Sequence, residues 1–157
     1  MKNLDSIFLS LGTNIGDKKK NLSVALSSLS DFMKVLGVSS VYKTEPLLYK
    51  DQNDFLNIVV EVDYQDTAQT LLQVIQNIET QMGREKTVRY GPRVIDIDII
   101  FFKGEEIREK NLTIPHYDWH NRLFVLQPLY ELLGRELDQS SYEIHEQKIT
   151  KIGTIKF

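Results

Sequence analysis

The segment DFLNIVVEVDY, residues 54–64, constrains the fold of this chain more than any other stretch. Every second side chain is apolar and forms one continuous face, while a mixed set that includes Asn57 and Glu61 points the other way. A strand with one fully apolar face belongs to a sheet that buries that face against another layer. We therefore expect an antiparallel sheet whose opposite face is free to build a site.

Hydrophobic periodicity divides the remaining chain into strands and helices. Strands are predicted at residues 6–12, 38–45, 54–64 and 93–102, and helices at residues 18–34 and 66–83. Asp17 is placed to cap the first helix, and Gly83 to end the second. The C-terminal part is predicted to hold an irregular segment at residues 111–122, a helical segment from residue 123 that Pro128 breaks, and weak strands at residues 142–145 and 148–155.

The element order predicts an α+β fold. It reads β-α-β-β-α-β, the order of the ferredoxin-like split βαβ sandwich, with an antiparallel sheet, two helices on one face and a C-terminal helical and β extension. A length of 157 residues favours a single domain over residues 1–157. This fold hosts many activities, so the function has to be argued from side chains.

Composition excludes several classes of function. A net charge of −3 gives no indication of nucleic-acid binding. The chain has no cysteine, which rules out disulfides and thiolate metal sites and suits the cytoplasm. The apolar run near the N-terminus is too short for a signal peptide or a membrane span. A cytoplasmic monomer that binds neither membrane nor nucleic acid is expected.

The strand RVIDIDIIFF carries two aspartates on one face. Side chains alternate along a strand, so Asp96 and Asp98 point to the same face, with their Cα atoms roughly 7 Å apart. The alternating isoleucines Ile95, Ile97 and Ile99 face the helices. For an isolated pair of this kind, two solvated aspartates are the ordinary explanation. Two like charges on an apolar strand are otherwise costly unless a cation lies between them.

The loop before this strand favours a metal and phosphate ligand. The segment GREKTVRYGPR contains four basic residues and one acid. Aspartate oxygens suit Mg²⁺, which takes one or two carboxylates and completes its shell with water and phosphate oxygens. Arginines bind the remaining phosphate oxygens. The chain has no P-loop motif and no protein-kinase motifs, so phosphoryl chemistry here would use another scaffold.

Several further residues are candidates only in combination. Phe55 and Asn57 share a strand face, and an aromatic ring beside an amide suits a flat heterocycle, with Phe124 as the opposite stacking face. Each of these residues alone is more typical of packing. His116 and Arg122 would contact phosphate if they lie near such a site. Periodicity predicts that Gln76 and Glu79, late in the second helix, face solvent.

These segments together resemble one family closely, the 6-hydroxymethyl-7,8-dihydropterin pyrophosphokinases of folate biosynthesis. The matching segments, in chain order, are LGTNIGD at residues 11–17, YKTEPL at 42–47, DFLN at 54–57, RYGPRVIDIDI at 89–99, LTIPHYDWHNR at 112–122 and FVLQPL at 124–129. The aspartate-bearing segment is the family's signature. Six matches in order make coincidence a poor explanation.

The resemblance implies an activity and its cofactors. ATP, as co-substrate, would transfer a pyrophosphoryl group to the hydroxymethyl oxygen of 6-hydroxymethyl-7,8-dihydropterin and leave as AMP, in tetrahydrofolate biosynthesis. Two Mg²⁺ ions would be held by Asp96 and Asp98. Catalysis would then consist mostly of positioning and charge neutralisation.

The resemblance also implies three sets of site residues. The catalytic set is Arg89, Arg93, Asp96 and Asp98. The pterin set is Thr44, Glu45, Leu47, Phe55, Asn57, Tyr90 and Phe124. The ATP set is Gln76, Glu79, Arg89, Arg93, Ile99, Thr113, His116, Tyr117 and Arg122.

Two polar loops, at residues 47–53 and 84–93, are predicted to be mobile and to close over the substrates. Rival functions stay open at this point. A non-catalytic nucleotide- or pterin-binding module would bind without forming AMP and would not need the two aspartates. A different two-metal enzyme, such as a nucleotidyltransferase, would release pyrophosphate. An interaction domain with a basic loop would need neither Asn57 nor the aromatic residues.

Overall fold

The computed structural model describes residues 5–45, 53–83, 94–136 and 148–157. The elements in these ranges are β1 (Ile7–Thr13), α1 (Lys18–Ser30), β2 (Lys34–Val38), β3 (Val41–Thr44), β4 (Phe55–Asp63), α2 (Ala68–Gln81), β5 (Asp96–Phe102), β6 (Ile107–Glu109), β7 (Leu112–Ile114), a 3₁₀ turn (Trp119–Asn121), α3 (Leu123–Leu133) and β8 (Ile149–Gly153). None of these helices is long and apolar enough to cross a membrane.

One antiparallel sheet organises the fold. Its strand order is β5-β1-β4-β3-β8, and β2 pairs with β4 beside β3. The strands β6 and β7 form a separate two-stranded sheet. The predicted α+β architecture with an antiparallel sheet is therefore confirmed.

The main core lies between the sheet and the first two helices. The apolar face predicted for β4 is buried there, and both helices contribute their buried stripes. The helical members are Leu22, Ala25, Leu26 and Leu29 of α1 and Ala68, Leu71, Ile75 and Ile78 of α2. The prediction that two helices cover one face of the sheet is confirmed.

The first helix begins as predicted but ends early. The Asp17 side chain accepts a hydrogen bond from the Lys20 backbone N–H at 3.2 Å, which caps the helix. The helix stops at Ser30, and Lys34–Val38 pairs with β4 instead. The prediction of helix to residue 34 was wrong, because backbone pairing with a neighbouring strand overrode the local helical spacing of apolar residues.

The strand predicted at residues 38–45 is interrupted. β2 and β3 both pair with β4, and the buried residues Ser39 and Ser40 separate them. The Ser39 backbone N–H donates to the Val59 carbonyl at 2.9 Å, and its hydroxyl accepts from the Val59 N–H at 2.9 Å. The side-chain hydroxyl thus replaces a ladder partner at the break.

The sequence predicts that the second face of the sheet is free. In the structure, part of this face is covered. The helix α3 packs its residues Val125, Leu129 and Leu133 against this face. The strand residues in this second core are Phe8, Val59, Ile100 and Phe101. Only the part of the face beyond this core remains available for a site.

Pro128 does not break α3, contrary to the prediction. The helix runs from Leu123 to Leu133, and Pro128 is buried within it. Proline cannot donate a backbone hydrogen bond, which costs the helix stability. Burial of the apolar face of α3 offsets this cost.

The segment predicted to be irregular contains regular structure. Leu112–Ile114 forms β7, whose first and last residues are buried in the main core. A 3₁₀ turn follows. In the C-terminal part, the strand expected at residues 148–155 is confirmed as β8, which pairs with β3. The strand expected at residues 142–145 lies outside the described residues.

Candidate active site

The two aspartates lie on β5, an edge strand of the described sheet. Both are half-buried, whereas Ile97 and Ile99 are buried in the main core on the opposite face. The predicted alternation is therefore confirmed. A bulge opposite Phe8 and Leu9 turns both Ile100 and Phe101 towards α3, so the second core begins directly beyond the aspartates.

A shallow row of small residues on β1 separates β5 from β4. Ser10 lies opposite both Asp98 and Val59, and Gly12 lies opposite both Asp96 and Asn57. Directly opposed residues of antiparallel strands point to the same sheet face. The carboxylates and the Asn57 amide therefore border a trough whose floor is β1. Sequence analysis missed Ser10 and Gly12, because only strand register shows what lies opposite them.

Arg122, which immediately precedes α3, connects three parts of the site. Its Nη1 atom lies 3.9 Å from Asp98 Oδ2, and its Nε atom lies 3.4 Å from Asp118 Oδ2. Its guanidinium also lies over the Phe124 ring, 5.6 Å from the centroid. The guanidinium thus places positive charge beside the carboxylates and next to an aromatic face.

His116 is held as a neutral imidazole. Its backbone N–H donates to the Ile100 carbonyl at 3.0 Å, and its Nδ1 atom accepts from the Asp118 N–H at 3.1 Å. That bond assigns the proton of the neutral ring to Nε2. Burial, together with the positive charge of Arg122, lowers the pKa of His116 to about 4. The Nε2–H group is therefore a hydrogen-bond donor that stays uncharged at neutral pH.

The Asn57 side chain is buried and oriented by β3. Its Nδ2 atom donates to Thr44 Oγ1 at 2.9 Å, and both residues are almost fully buried. Phe55, two residues earlier on the same strand face, is half-buried, as is Phe124 at the start of α3. Glu45, just after β3, is also half-buried. An amide and aromatic rings therefore border the same end of the sheet face as the carboxylates.

Glu79 differs most from its predicted environment. The residue was expected to face solvent, but it is only 4% exposed, and its Oε2 atom accepts a hydrogen bond from the Ile97 N–H at 3.0 Å. That N–H lies between the two aspartates on the outer edge of β5. Helical periodicity alone places this carboxylate in solvent. The prediction was wrong because a backbone N–H on an edge strand has no neighbouring strand to bond, and it can instead hold a carboxylate in a buried position. Gln76, one turn earlier, is exposed as predicted.

The remaining predicted residues divide into two groups. Thr113 and Tyr117 are exposed, and the side chain of Ile99 is buried in the main core. The predicted residues Leu47, Arg89, Tyr90 and Arg93 lie outside the described residues. So do the loop at residues 84–93 and all of the loop at 47–53 except Asn53.

The described side chains include groups that suit a phosphate-bearing ligand with a divalent cation. No cluster of three or more His, Asp or Glu side chains capable of holding a metal alone occurs in residues 5–45, 53–83, 94–136 and 148–157. Two half-exposed carboxylates fit Mg²⁺, which draws its other ligands from phosphate and water. The nearby guanidinium and the neutral imidazole N–H are phosphate-binding groups. Together these groups suit an enzyme that transfers a phosphoryl or pyrophosphoryl group from a nucleotide.

Comparison with known proteins identifies the family. The family model of 7,8-dihydro-6-hydroxymethylpterin-pyrophosphokinase matches residues 8–134. The 2-amino-4-hydroxy-6-hydroxymethyldihydropteridine pyrophosphokinase of Bacillus subtilis is 38% identical over 151 residues, which cover 90% of each chain. The enzyme of the same name from Haemophilus influenzae is 38% identical over 127 residues, which cover 80% of this chain and 79% of its own.

A longer relative contains the same unit. The bifunctional protein FolKE of Lactococcus lactis is 38% identical over 152 residues, which cover 96% of this chain but 43% of that protein. The chain belongs to the 6-hydroxymethyl-7,8-dihydropterin pyrophosphokinase family. It is an ATP-dependent pyrophosphokinase of folate biosynthesis, with ATP and the hydroxymethyldihydropterin as its substrates.

Proposed function

We propose that Asp96 and Asp98 hold two Mg²⁺ ions that bind the ATP polyphosphate. Support comes from the position of both carboxylates on one face of an edge strand, half-exposed and directly beside the trough over β1. Bound there, the metal supplies neutralisation of phosphate charge and acidification of a coordinated hydroxyl. The pair of carboxylates on this trough is the single observation that carries the proposal.

We assign Arg122 and His116 to the polyphosphate. In the ligand-free protein the Arg122 guanidinium partly balances Asp98 across 3.9 Å. Once cations balance the carboxylates, the guanidinium is available for phosphate oxygens, to which it can donate two parallel hydrogen bonds. The His116 Nε2–H group donates a hydrogen bond to phosphate, and the imidazole stays neutral near pH 7. Thr113 and Tyr117, both exposed, are assigned to the outer part of the nucleotide.

The acceptor is assigned to the Asn57 side of the trough over β1, next to the start of α3. Phe55 and Phe124 offer aromatic faces for a flat ring, and the Asn57 amide, held by Thr44, offers hydrogen bonds to the polar edge of the ring. By resemblance to the family, Glu45 and Leu47 are also assigned to the acceptor. This arrangement directs the hydroxymethyl group towards the Asp96 side of the trough.

The reaction balances as a direct displacement. The hydroxymethyl oxygen forms a bond to the β-phosphorus, the bond between that phosphorus and the α,β-bridging oxygen breaks, and AMP leaves with the bridging oxygen. The hydroxyl proton passes to solvent. The chain's own side chains bind, orient and neutralise charge, so no covalent enzyme intermediate is needed. Arg89, Arg93 and Tyr90 stay predictions for the loop that precedes β5.

The identity of the released nucleotide tests the reaction. The protein is mixed with ATP, Mg²⁺ and 6-hydroxymethyl-7,8-dihydropterin, and the nucleotide products are separated. AMP is expected. ADP would indicate ordinary phosphoryl transfer, and pyrophosphate release would indicate nucleotidyl transfer. Binding without turnover would return the protein to the class of a non-catalytic module, which its family membership disfavours.

Paired substitutions test the metal assignment. Asp96→Asn and Asp98→Asn should each reduce AMP formation by about a thousandfold or more, because a metal ligand is lost, while the melting temperature stays close to that of the parent protein. Asp63→Asn, at the exposed end of β4, is the matched control and should keep full activity. Full activity in either site variant would refute the assignment.

Three broader predictions accompany the assignment. The strand order supports a ferredoxin-like fold, since β5-β1-β4-β3 matches its four-stranded core. A monomer is expected. A cytoplasmic location is also expected, although the name of one relative, the bifunctional folate synthesis protein of Pisum sativum, describes it as mitochondrial.

A further inference from the structure

Gly12, which has no side chain, lies at the centre of the candidate site. It lies on β1 between two strands, with Asn57 of β4 on one side and Asp96 of β5 on the other. Partners in antiparallel strands have Cα atoms about 5 Å apart, so the Asn57 and Asp96 Cα atoms lie about 10 Å apart. The space above Gly12 therefore separates the amide from the carboxylate.

The close approach of Asn57 leaves no room for a Cβ atom at this position. A Cβ atom added at Gly12 would lie 2.7 Å from Asn57 Oδ1. Backbone strain plays no part, because Gly12 is not among the glycines with positive φ. An alanine here fits only if the Asn57 amide moves.

The Asn57 amide has little freedom to move. Its Nδ2 atom is bonded to Thr44 Oγ1 at 2.9 Å, and the residue is only 3% exposed. The bond through Nδ2 directs Oδ1 towards Gly12, so the amide presents a hydrogen-bond acceptor at the edge of the trough. Moving the amide would break the Thr44 bond and remove that acceptor from its position.

We propose that Gly12 is a specificity-determining residue for the acceptor substrate. By lacking a side chain, it leaves the Asn57 amide oxygen in place to accept hydrogen bonds from N–H groups of a flat heterocycle. It also leaves open the space through which the same heterocycle extends towards Asp96. This inference rests on the proposed acceptor site, and it adds a residue that touches the acceptor through its backbone only.

Gly12→Ala tests the inference through binding of the two substrates separately. Acceptor affinity is measured with Mg²⁺ and a non-hydrolysable ATP analogue present, and analogue affinity is measured alone. We expect at least a tenfold loss of acceptor affinity, since the amide that reads the ring is displaced, and less than a twofold change in analogue affinity. Unchanged acceptor affinity would overturn the inference. Equal losses for both ligands would also overturn it, because they would indicate general disruption.

A double-substitution cycle separates the proposed cause from a general packing defect. If Gly12→Ala acts through Asn57, it should change acceptor affinity by less than threefold when Asn57→Ala is already present. Independent, additive losses would show that Gly12 does not act through the amide and would overturn the inference.

A measurement on the unsubstituted protein covers the case in which Gly12→Ala does not fold. Nuclear Overhauser effects between the Gly12 Hα protons and the methylene protons of the bound acceptor are expected in the complex with the ATP analogue. Their absence would overturn the inference while leaving the proposed function intact if AMP is still formed. If the parent protein forms no AMP, the proposed function fails, and the inference fails with it.

Discussion

At the scale of single residues, hydrogen-bond partners and nearby charges determine the charge and the tautomer of the side chains in the site. His116 is neutral because it is buried near Arg122, and its tautomer follows from the Asp118 N–H bond to Nδ1. Asp118 in turn has a lowered pKa, first because Asn121 donates a hydrogen bond to its carboxylate. These contacts fix the tautomer and the neutral state of the His116 imidazole in the ligand-free protein.

The lowered pKa of His116 predicts a dependence of stability on pH. Between pH 6.5 and about 4, the unfolded chain takes up a proton that the native imidazole does not. The stabilising effect is complete above pH 6.5 and is lost as the pH falls through this window. Between pH 7 and 5 we expect about 1 kcal/mol of loss in the free energy of unfolding, after discounting for partial exposure.

Urea unfolding of the protein and of His116→Gln at both pH values measures this effect. The variant should lose less stability than the parent protein on acidification, because glutamine does not titrate. An equal loss in the two proteins would show that His116 does not contribute to the pH dependence.

Arg122 predicts a specific loss of nucleotide binding. Lysine cannot donate the planar pair of hydrogen bonds that a guanidinium offers, so Arg122→Lys should raise the KM for ATP by about tenfold or more. Arg108→Lys, exposed on β6, is the matched control and should leave KM unchanged. Steady-state kinetics at saturating acceptor measures the change, and an unaltered KM for ATP in Arg122→Lys would contradict the assignment.

At the scale of elements, the edge of the sheet is stabilised from the side by α2. The Glu79 carboxylate accepts the Ile97 N–H on the open edge of β5 and so restrains the strand that carries both aspartates. A second such contact attaches α3, where Glu131 accepts from the Tyr42 hydroxyl at 2.6 Å and from the Ser40 N–H at 2.8 Å. Burial, reinforced by Glu131, raises the pKa of Tyr42 well above its usual value.

Truncation of Glu79 is predicted to cost both stability and site order. Glu79→Ala leaves the buried Ile97 N–H without this acceptor, which typically costs about 1–3 kcal/mol. Glu79→Gln keeps an acceptor oxygen and should restore most of that loss. Asn77→Ala, exposed on the same helix, is the control.

Urea unfolding and hydrogen exchange at Ile97 measure the effect of Glu79. Exchange at this amide should accelerate in Glu79→Ala and return towards the parent rate in Glu79→Gln. Equal exchange rates in all three proteins would contradict the role of Glu79 at the edge of β5.

At the scale of the whole molecule, two apolar cores hold the sheet and leave its polar corner for chemistry. One core joins the sheet to α1 and α2, and the other joins it to α3. The carboxylates lie at the border of the second core and inside neither. We therefore expect the stability of the fold to depend on apolar burial rather than on a bound metal.

Metal removal should separate folding from activity. A chelator is expected to abolish AMP formation, which excess Mg²⁺ restores, while the melting temperature of the ligand-free protein changes by no more than about 2 °C. Activity assays and thermal unfolding with and without the chelator measure the two effects. A large fall in melting temperature would show that the metal is structural.

The amino-acid sequence alone determined the directions of side chains within each element. The alternation in RVIDIDII placed the aspartates on one face and the isoleucines on the other, and β4 has the apolar face that its spacing predicts. The Asp17 cap was likewise local. These features follow from the periods of strands and helices and from contacts between residues a few positions apart.

Only the tertiary structure decided which distant segments meet. Strand register placed Gly12 between Asn57 and Asp96, edge pairing ended α1 early, and packing put α3 across part of the second face. Burial of Glu79 against the Ile97 N–H likewise reversed what helical periodicity predicted. The physical reason is that periodicity reports the direction of a side chain, whereas backbone hydrogen bonds and packing between distant segments determine its neighbours.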